Sequence, residues 1–233
     1  MSGAIAIFVK TPGLSPVKTR LATGIGTAAA EHWYLAAAHV VAEAATTAAI
    51  AQQSVVYWAV AEAEPHALAQ WPQLPVLIQG MGTLGARMAA VHRTLVERHG
   101  FALLLGADTP QLDSAEMGAA LQWLAAPAPR AAIGPATDGG FWMFGSNRVA
   151  AESLWNSLAY SHADTCKNFQ QAFISCGFEW RVGNVLTDVD NATDLLPCAA
   201  QIDCLPSASA AQRALAALSR QLAAGVQPSM AAS

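Results

Sequence analysis

The chain has 233 residues, of which 12% are charged, and its 16 Asp and Glu against 12 Lys and Arg leave a net charge of −4. A globular chain of this length buries roughly 70–75% of its unfolded surface, so it needs no disulfide or metal staple. Sparse charge without blocks excludes a polyanion-binding protein, and no nucleic-acid polymer is expected as a partner.

Short apolar runs bounded by turn signals alternate with longer helical patterns, which predicts a mostly parallel mixed sheet covered by helices on both faces. The expected fold is α/β: a single three-layer α/β/α domain over residues 1–205, followed by an Ala/Ser-rich helix and tail over 206–233. The first strand is expected over 4–9. Its leading MSGAIAIFVK has no basic region before the apolar run, so secretion is not expected and a cytoplasmic location is. A helix follows over 26–50. Its Ala-rich stretch is interrupted by His39, Glu43, Thr46 and Thr47, too polar for a membrane span, so no membrane is expected as a partner despite the positive mean hydropathy.

A strand over 54–60, a helix over 62–70 and a short strand over 75–78 come next. The helix predicted over 83–98 carries Leu84, Met88, Val91 and Leu95 on one face. The run FALLL, over 101–105, is the best-defined strand and is expected at the centre of the sheet. Asp113 or Ser114 caps the next helix, which runs to Leu124. Strands over 130–134 and 141–145 flank the turn Pro135-Ala136-Thr137-Asp138-Gly139-Gly140. Helices starting near 150 and over 162–176, and a strand over 180–185, complete the compact part. Beyond 205, Leu215, Leu218 and Leu222 mark one amphipathic helix with a frayed end, and the exposed tail is expected to be either a homodimer contact or disordered.

In an open α/β sheet ligands bind outside the carboxyl ends of the strands, so polar residues just after strands are the candidates for chemistry. Three segments qualify. The loop over 10–21 holds Lys10, Lys18 and Arg20, and its amides and cations suit phosphate oxygens; a solvated basic turn competes with that reading. Asp108, in Gly106-Ala107-Asp108-Thr109-Pro110, is a hard oxygen ligand for Mg²⁺ or Mn²⁺, or else a turn cap. In Asp188-Val189-Asp190-Asn191-Ala192-Thr193-Asp194, carboxylates at alternate positions point to one side of an extended segment, so one of them can meet a cation held by Asp108. An ordinary acidic helix cap is the alternative there, and Asp194 suits it.

Other chemistries find little support. The six histidines lack H-E-x-x-H spacing, and no G-x-S-x-G elbow is present. Cys166, Cys176, Cys198 and Cys204 form no C-x-x-C or zinc-type spacing and read as buried or idle thiols. The seven tryptophans are scattered singly and read as core.

Taken in order, these segments resemble the nucleotide-diphospho-sugar transferase superfamily of GT-A fold, and within it the bacterial DUF2064 group. The pattern F-x-K-x-P followed by V-K-T-R-L is matched by Phe8, Lys10 and Pro12, then by Val17-Lys18-Thr19-Arg20-Leu21. Gly82-Thr83-Leu84-Gly85-Ala86-Arg87-Met88, the strand end at 106–110, the hairpin at 134–141 and the acidic segment at 188–195 continue the match. Thr83 stands where an acidic residue is common, Phe141 where tyrosine is frequent, and Asn191-Ala192-Thr193 where T-P-E is usual.

The resemblance implies a metal-dependent transferase using a nucleotide-sugar donor and a small-molecule acceptor. It implies Asp108 and Asp190 as ligands of Mg²⁺ or Mn²⁺, and Lys10, Lys18, Arg20 and Arg87 around the nucleotide and its phosphates. Asp138 is then a candidate acceptor base, with Gly139 and Gly140 as the substrate loop. Nucleotidyl transfer from a nucleoside triphosphate to a phosphorylated acceptor is the alternative, because the V-K-T-R-L loop also resembles that of phospholactate guanylyltransferases. A non-catalytic nucleotide-binding protein is the third reading.

Overall fold

A period of two divides the first strand, β1 (Gly3–Val9), between two layers. Ile5, Ile7 and Val9 pack with Tyr34 and Ala38 on one face of the sheet, while Ala4 and Ala6 pack with Met88 and Leu95 on the other. The computed structural model describes residues 2–156, 159–160 and 162–226. Among these, β2 (Val55–Val60), β3 (Val76–Ile78), β4 (Phe101–Gly106), β5 (Arg130–Pro135), β6 (Phe141–Ser146) and β7 (Glu179–Val182) complete a seven-stranded sheet of order β3-β2-β1-β4-β6-β5-β7. Only β6 runs against its neighbours, so the sheet is mixed and mostly parallel, with the FALLL strand β4 at its centre.

The first helices are α1 (Thr19–Ile25) and α2 (Thr27–Ala51). The sequence predicts one helix here, starting at 26; the extra turn of helix ends because Gly26, at φ 86° and ψ 151°, breaks the backbone between the two. α3 (Pro65–Ala69) is shorter than expected, with Pro65 at its start. α4 (Leu84–His99) and α5 (Ser114–Leu124) follow their predicted ranges closely. Thr83 and Asp113 cap them by accepting from Ala86 N and Ala115 N. α6 (Glu152–Asn156) and α7 (Thr165–Ile174) precede β7, which stops at Val182 rather than at 185. Beyond that point the chain stays beside β5, with the Gly183 N–H donating to the Ile133 carbonyl at 2.8 Å and a bridge between Ala136 and Leu186.

One core cluster joins α2 and α5 to the sheet; another joins α4, α6 and α7 to its opposite face. A third cluster unites α1 and α2 with α8 (Leu195–Asp203) and α9 (Ala210–Ala224). The Trp33 indole donates to Ser219 Oγ at 2.9 Å, fastening α9 onto α2. The end expected to fray, 227–233, lies outside the described residues. α2 has the length and mean hydropathy (1.3) of a membrane span, yet half of that window is buried within this fold. Trp33, Trp58, Trp71 and Trp155 are fully buried, and all four thiols are free, Cys166 and Cys198 being buried.

His92 lies wholly inside the second cluster, with Nε2 3.0 Å from a Ser146 hydroxyl that itself donates to the Arg148 carbonyl. Burial pushes its pKa down to about 4. The unfolded chain takes up that proton near 6.5, so this contribution to stability is complete above about pH 6.5 and fades as pH falls towards 4. Between pH 7 and 4.5, His92→Gln should remove about 2–3 kcal/mol of the wild-type loss, as measured by urea unfolding. In the β5–β6 turn, Gly139 has φ +90°, and a Cβ there would run into the Ala163 carbonyl. Gly139→Ala should therefore cost more than about 2 kcal/mol and lower the melting temperature, whereas Gly118→Ala, in open space on α5, should not.

Candidate functional site

β1 has β2 on one side and β4 on the other, so the order of the sheet reverses between β1 and β4 and leaves a crevice at their carboxyl ends. Phe8 stands opposite Gly106 there. The loop leaving β1 returns to this crevice at Lys18. Its backbone is left-handed (φ 46°, ψ 41°), a conformation that costs a non-glycine residue on the order of 1 kcal/mol or more. The ammonium reaches Asp108 Oδ2 at 2.6 Å and Asp190 Oδ1 at 3.0 Å. Burial opposes the charge on Lys18, but attraction to the two carboxylates outweighs it and holds the pKa above the usual lysine value.

Asp190 is positioned from its own segment. Val189 is buried beside it and donates its N–H to the Asp108 carbonyl at 3.3 Å. Asp194 Oδ2 accepts from the backbone N–H groups of Asp190 (3.0 Å) and Asn191 (2.7 Å), and with Asn191 it forms a capping box on the 3₁₀ turn Ala192–Asp194. The substitution of Asn191-Ala192-Thr193 for T-P-E thus lands in a helix-capping segment. Arg20, largely exposed, adds a longer contact to Asp190 Oδ2 at 3.4 Å.

The crevice holds two cavities. The first, of about 460 Å³, is lined by Lys10, Lys18, Arg20 and Arg87 together with Gln79 and Tyr34. The second, of about 320 Å³, is lined by Asp138, Asp188, Phe141, Trp142 and Tyr160. Both are bounded by Phe8, Leu84, Gly106, Asp108 and Asp190, so the two carboxylates stand where the cavities meet. Among the described residues, no group of three or more His, Cys, Asp or Glu side chains is arranged to hold a metal ion.

The structure brings Lys10, Lys18, Arg20 and Arg87 around one space and Asp108 and Asp190 onto one cation. Asp138 lies at the rim of the other space, exposed, with Oδ1 accepting from Gly140 N at 2.7 Å. Gly140 lines that cavity beside it, whereas Gly139 shapes the turn. Asp188 faces the same cavity; burial, then repulsion from Asp108, Asp138 and Asp190, pushes its pKa up to about 7.

Gln79 escaped the sequence reading. It is buried, and its Nε2 donates to the Val9 and Ala59 carbonyls at 3.1 and 2.8 Å while its Oε1 accepts from Arg87 Nη1 at 3.2 Å. It directly follows β3, so the strand-end rule that picks out Asp108 also applies to it. Arg87 Nε is buried with no hydrogen-bond partner among the described residues. Tyr34, whose hydroxyl accepts from Lys10 N at 2.9 Å, carries no sequence signal, because a tyrosine in an Ala-rich helix reads as core.

No functionally curated protein matches the chain. Among solved structures, it is similar to a protein of Desulfovibrio desulfuricans G20, provisionally named a nucleotide-diphospho-sugar transferase: TM-score 0.81, 23% identity, 95% of this chain and 99% of that one covered. It is more distantly similar to a CMP:2-keto-3-deoxy-manno-octonic acid synthetase complexed with CTP (TM-score 0.54, 14% identity, 88% and 100% covered). A 4-diphosphocytidyl-2C-methyl-D-erythritol synthase of Anaerococcus prevotii DSM 20548 gives a TM-score of 0.52 at 8% identity, with 87% and 96% covered. At these identities the likeness is one of fold. The family model described as "Uncharacterized protein conserved in bacteria (DUF2064)" matches residues 38–162, more than half of the sequence, and the chain belongs to that family.

Proposed function

We propose that this protein is a GT-A-type transferase that moves a glycosyl group from a nucleotide-sugar donor to a small-molecule acceptor with the help of Mg²⁺ or Mn²⁺. The observation that carries the reading is the meeting of a cation-lined cavity and an acid-lined cavity at Asp108 and Asp190. The provisional name of the Desulfovibrio relative agrees with it.

In this reading Lys10, Lys18 and Arg20 offset the charge of the diphosphate, and Arg87, fixed by Gln79, turns its unpartnered Nε towards the nucleotide. Asp108 and Asp190 would hold the divalent ion. Their convergence on one ammonium fits a hard cation, and with only two protein carboxylates, phosphate oxygens and water would complete its shell. Bound there, the ion supplies Lewis-acid stabilisation of the departing diphosphate. Asp138, on the acceptor side, takes the proton from the attacking hydroxyl. Lys18 is buried in the β1–β4 crevice, which strengthens its interactions with the two carboxylates. The reading carries with it a cytoplasmic enzyme whose partners are small molecules.

Nucleotidyl transfer is the second reading, favoured by the fold shared with the CTP-bound synthetase and by the V-K-T-R-L loop. One experiment separates the two. Thermal stability is followed against nucleotide sugars and nucleoside triphosphates, with Mg²⁺, Mn²⁺ or EDTA, and release of nucleoside diphosphate or pyrophosphate is assayed in parallel. A ligand at 100 times its Kd adds about 2.7 kcal/mol, a readily measured shift. The expected outcome is a metal-dependent shift with one nucleotide sugar, lost in Asp108→Asn, accompanied by diphosphate release. A triphosphate-only shift with pyrophosphate release selects nucleotidyl transfer, and no shift with any nucleotide removes both.

A further inference from the structure

The charges in the crevice are unevenly divided. All four cations, Lys10, Lys18, Arg20 and Arg87, line the first cavity. The described residues lining the second include Asp108, Asp138, Asp188 and Asp190 but no lysine, arginine or histidine. Two of these carboxylates are engaged by Lys18; Asp138 and Asp188 have no ion-pair partner among the described residues. An anionic group entering this space would lose its hydration and find no cation in the walls. Against unpaired carboxylates a few ångströms away, that repulsion weakens binding by roughly tenfold or more per unit charge.

The walls also say what does suit the space. Phe8, Phe141, Trp142 and Tyr160 present aromatic surface, and carboxylate oxygens accept hydrogen bonds from hydroxyl or ammonium groups. A volume of about 320 Å³ lies at the low end for ligand pockets, which suits a molecule of monosaccharide size.

We infer that the acceptor is a hydroxyl compound of about monosaccharide size that carries no phosphate or carboxylate, and that Asp138 enforces the exclusion. This rests on reading the second cavity as the acceptor side of a transferase. It selects against the phosphorylated acceptors of nucleotidyl transfer through charge alone.

The test uses saturation-transfer NMR on the whole protein with glucose, glucosamine and glucose 6-phosphate. Inorganic pyrophosphate and Mg²⁺ are kept in excess, so that phosphate groups cannot report on the cation-lined cavity. Glucose and glucosamine are expected to bind, with glucose 6-phosphate at least tenfold weaker. Asp138→Asn should narrow that gap and Asp138→Glu should keep it, and because Asp138 is exposed both variants are expected to fold. Binding of glucose 6-phosphate as tight as that of glucose overturns the inference, and so does absence of binding by all three sugars. Donor turnover is scored separately: if no nucleotide sugar releases diphosphate while the sugar preference holds, the transferase reading falls and the charge selectivity of the cavity stands.

Discussion

The ammonium of Lys18, held between Asp108 and Asp190, is the interaction on which the site depends. Three segments far apart in sequence meet there: the loop after β1, the end of β4 and the extended run before the capping box. Without a cation at that point, two carboxylates would face one another in a half-buried crevice. The left-handed backbone of Lys18 persists because the ion pairs offset its cost, and strain held by surrounding contacts is common where a side chain must be aimed. The same geometry keeps that position positively charged between two carboxylates that reach it from separate segments.

Sheet topology turns this single contact into a division of labour. The reversal of strand order at β1 and β4 opens the crevice, and β5, β6 and the turn between them close its far side with Asp138 and aromatic rings. Positive side chains come from the loop after β1, the start of α1 and α4; negative ones come from the loop after β4, the β5–β6 turn and the run after β7. Two of these side chains are anchored by contacts of their own: Arg87 through Gln79, which bonds across the ends of β1 and β2, and Asp190 through Asp194. Such anchoring holds charges in place before any ligand arrives, and fixed charges stabilise a changing charge distribution without reorganising.

Much of this was legible in the sequence because strand ends are marked locally. FALLL followed by Gly106 identifies the central strand, and Asp108 then falls at its carboxyl end by position alone. The carboxylates of Asp188 and Asp190 share a side because Val189 between them is buried, as alternation in an extended segment requires. Other features depend on tertiary context. No local pattern says that Lys18 turns inward onto two carboxylates 90 and 172 residues away, or that Gln79 bridges two strands. The separate helix α1 was hidden because a loop rich in Gly and Pro masks a short helical turn ended by Gly26. The departures at Thr83 and at Asn191-Ala192-Thr193 lie in helix caps in three dimensions.

The most direct measurement of the central claim is a crystal structure grown with Mn²⁺ and the nucleoside diphosphate that stabilises the protein most. The expected result is one anomalous peak within bonding distance of both Asp108 and Asp190, with the diphosphate in the cavity lined by Lys10, Arg20 and Arg87 and the Lys18 ammonium moved towards the phosphates. A nucleotide bound elsewhere, or manganese absent from the two carboxylates while Lys18 keeps its contacts with both, would contradict it.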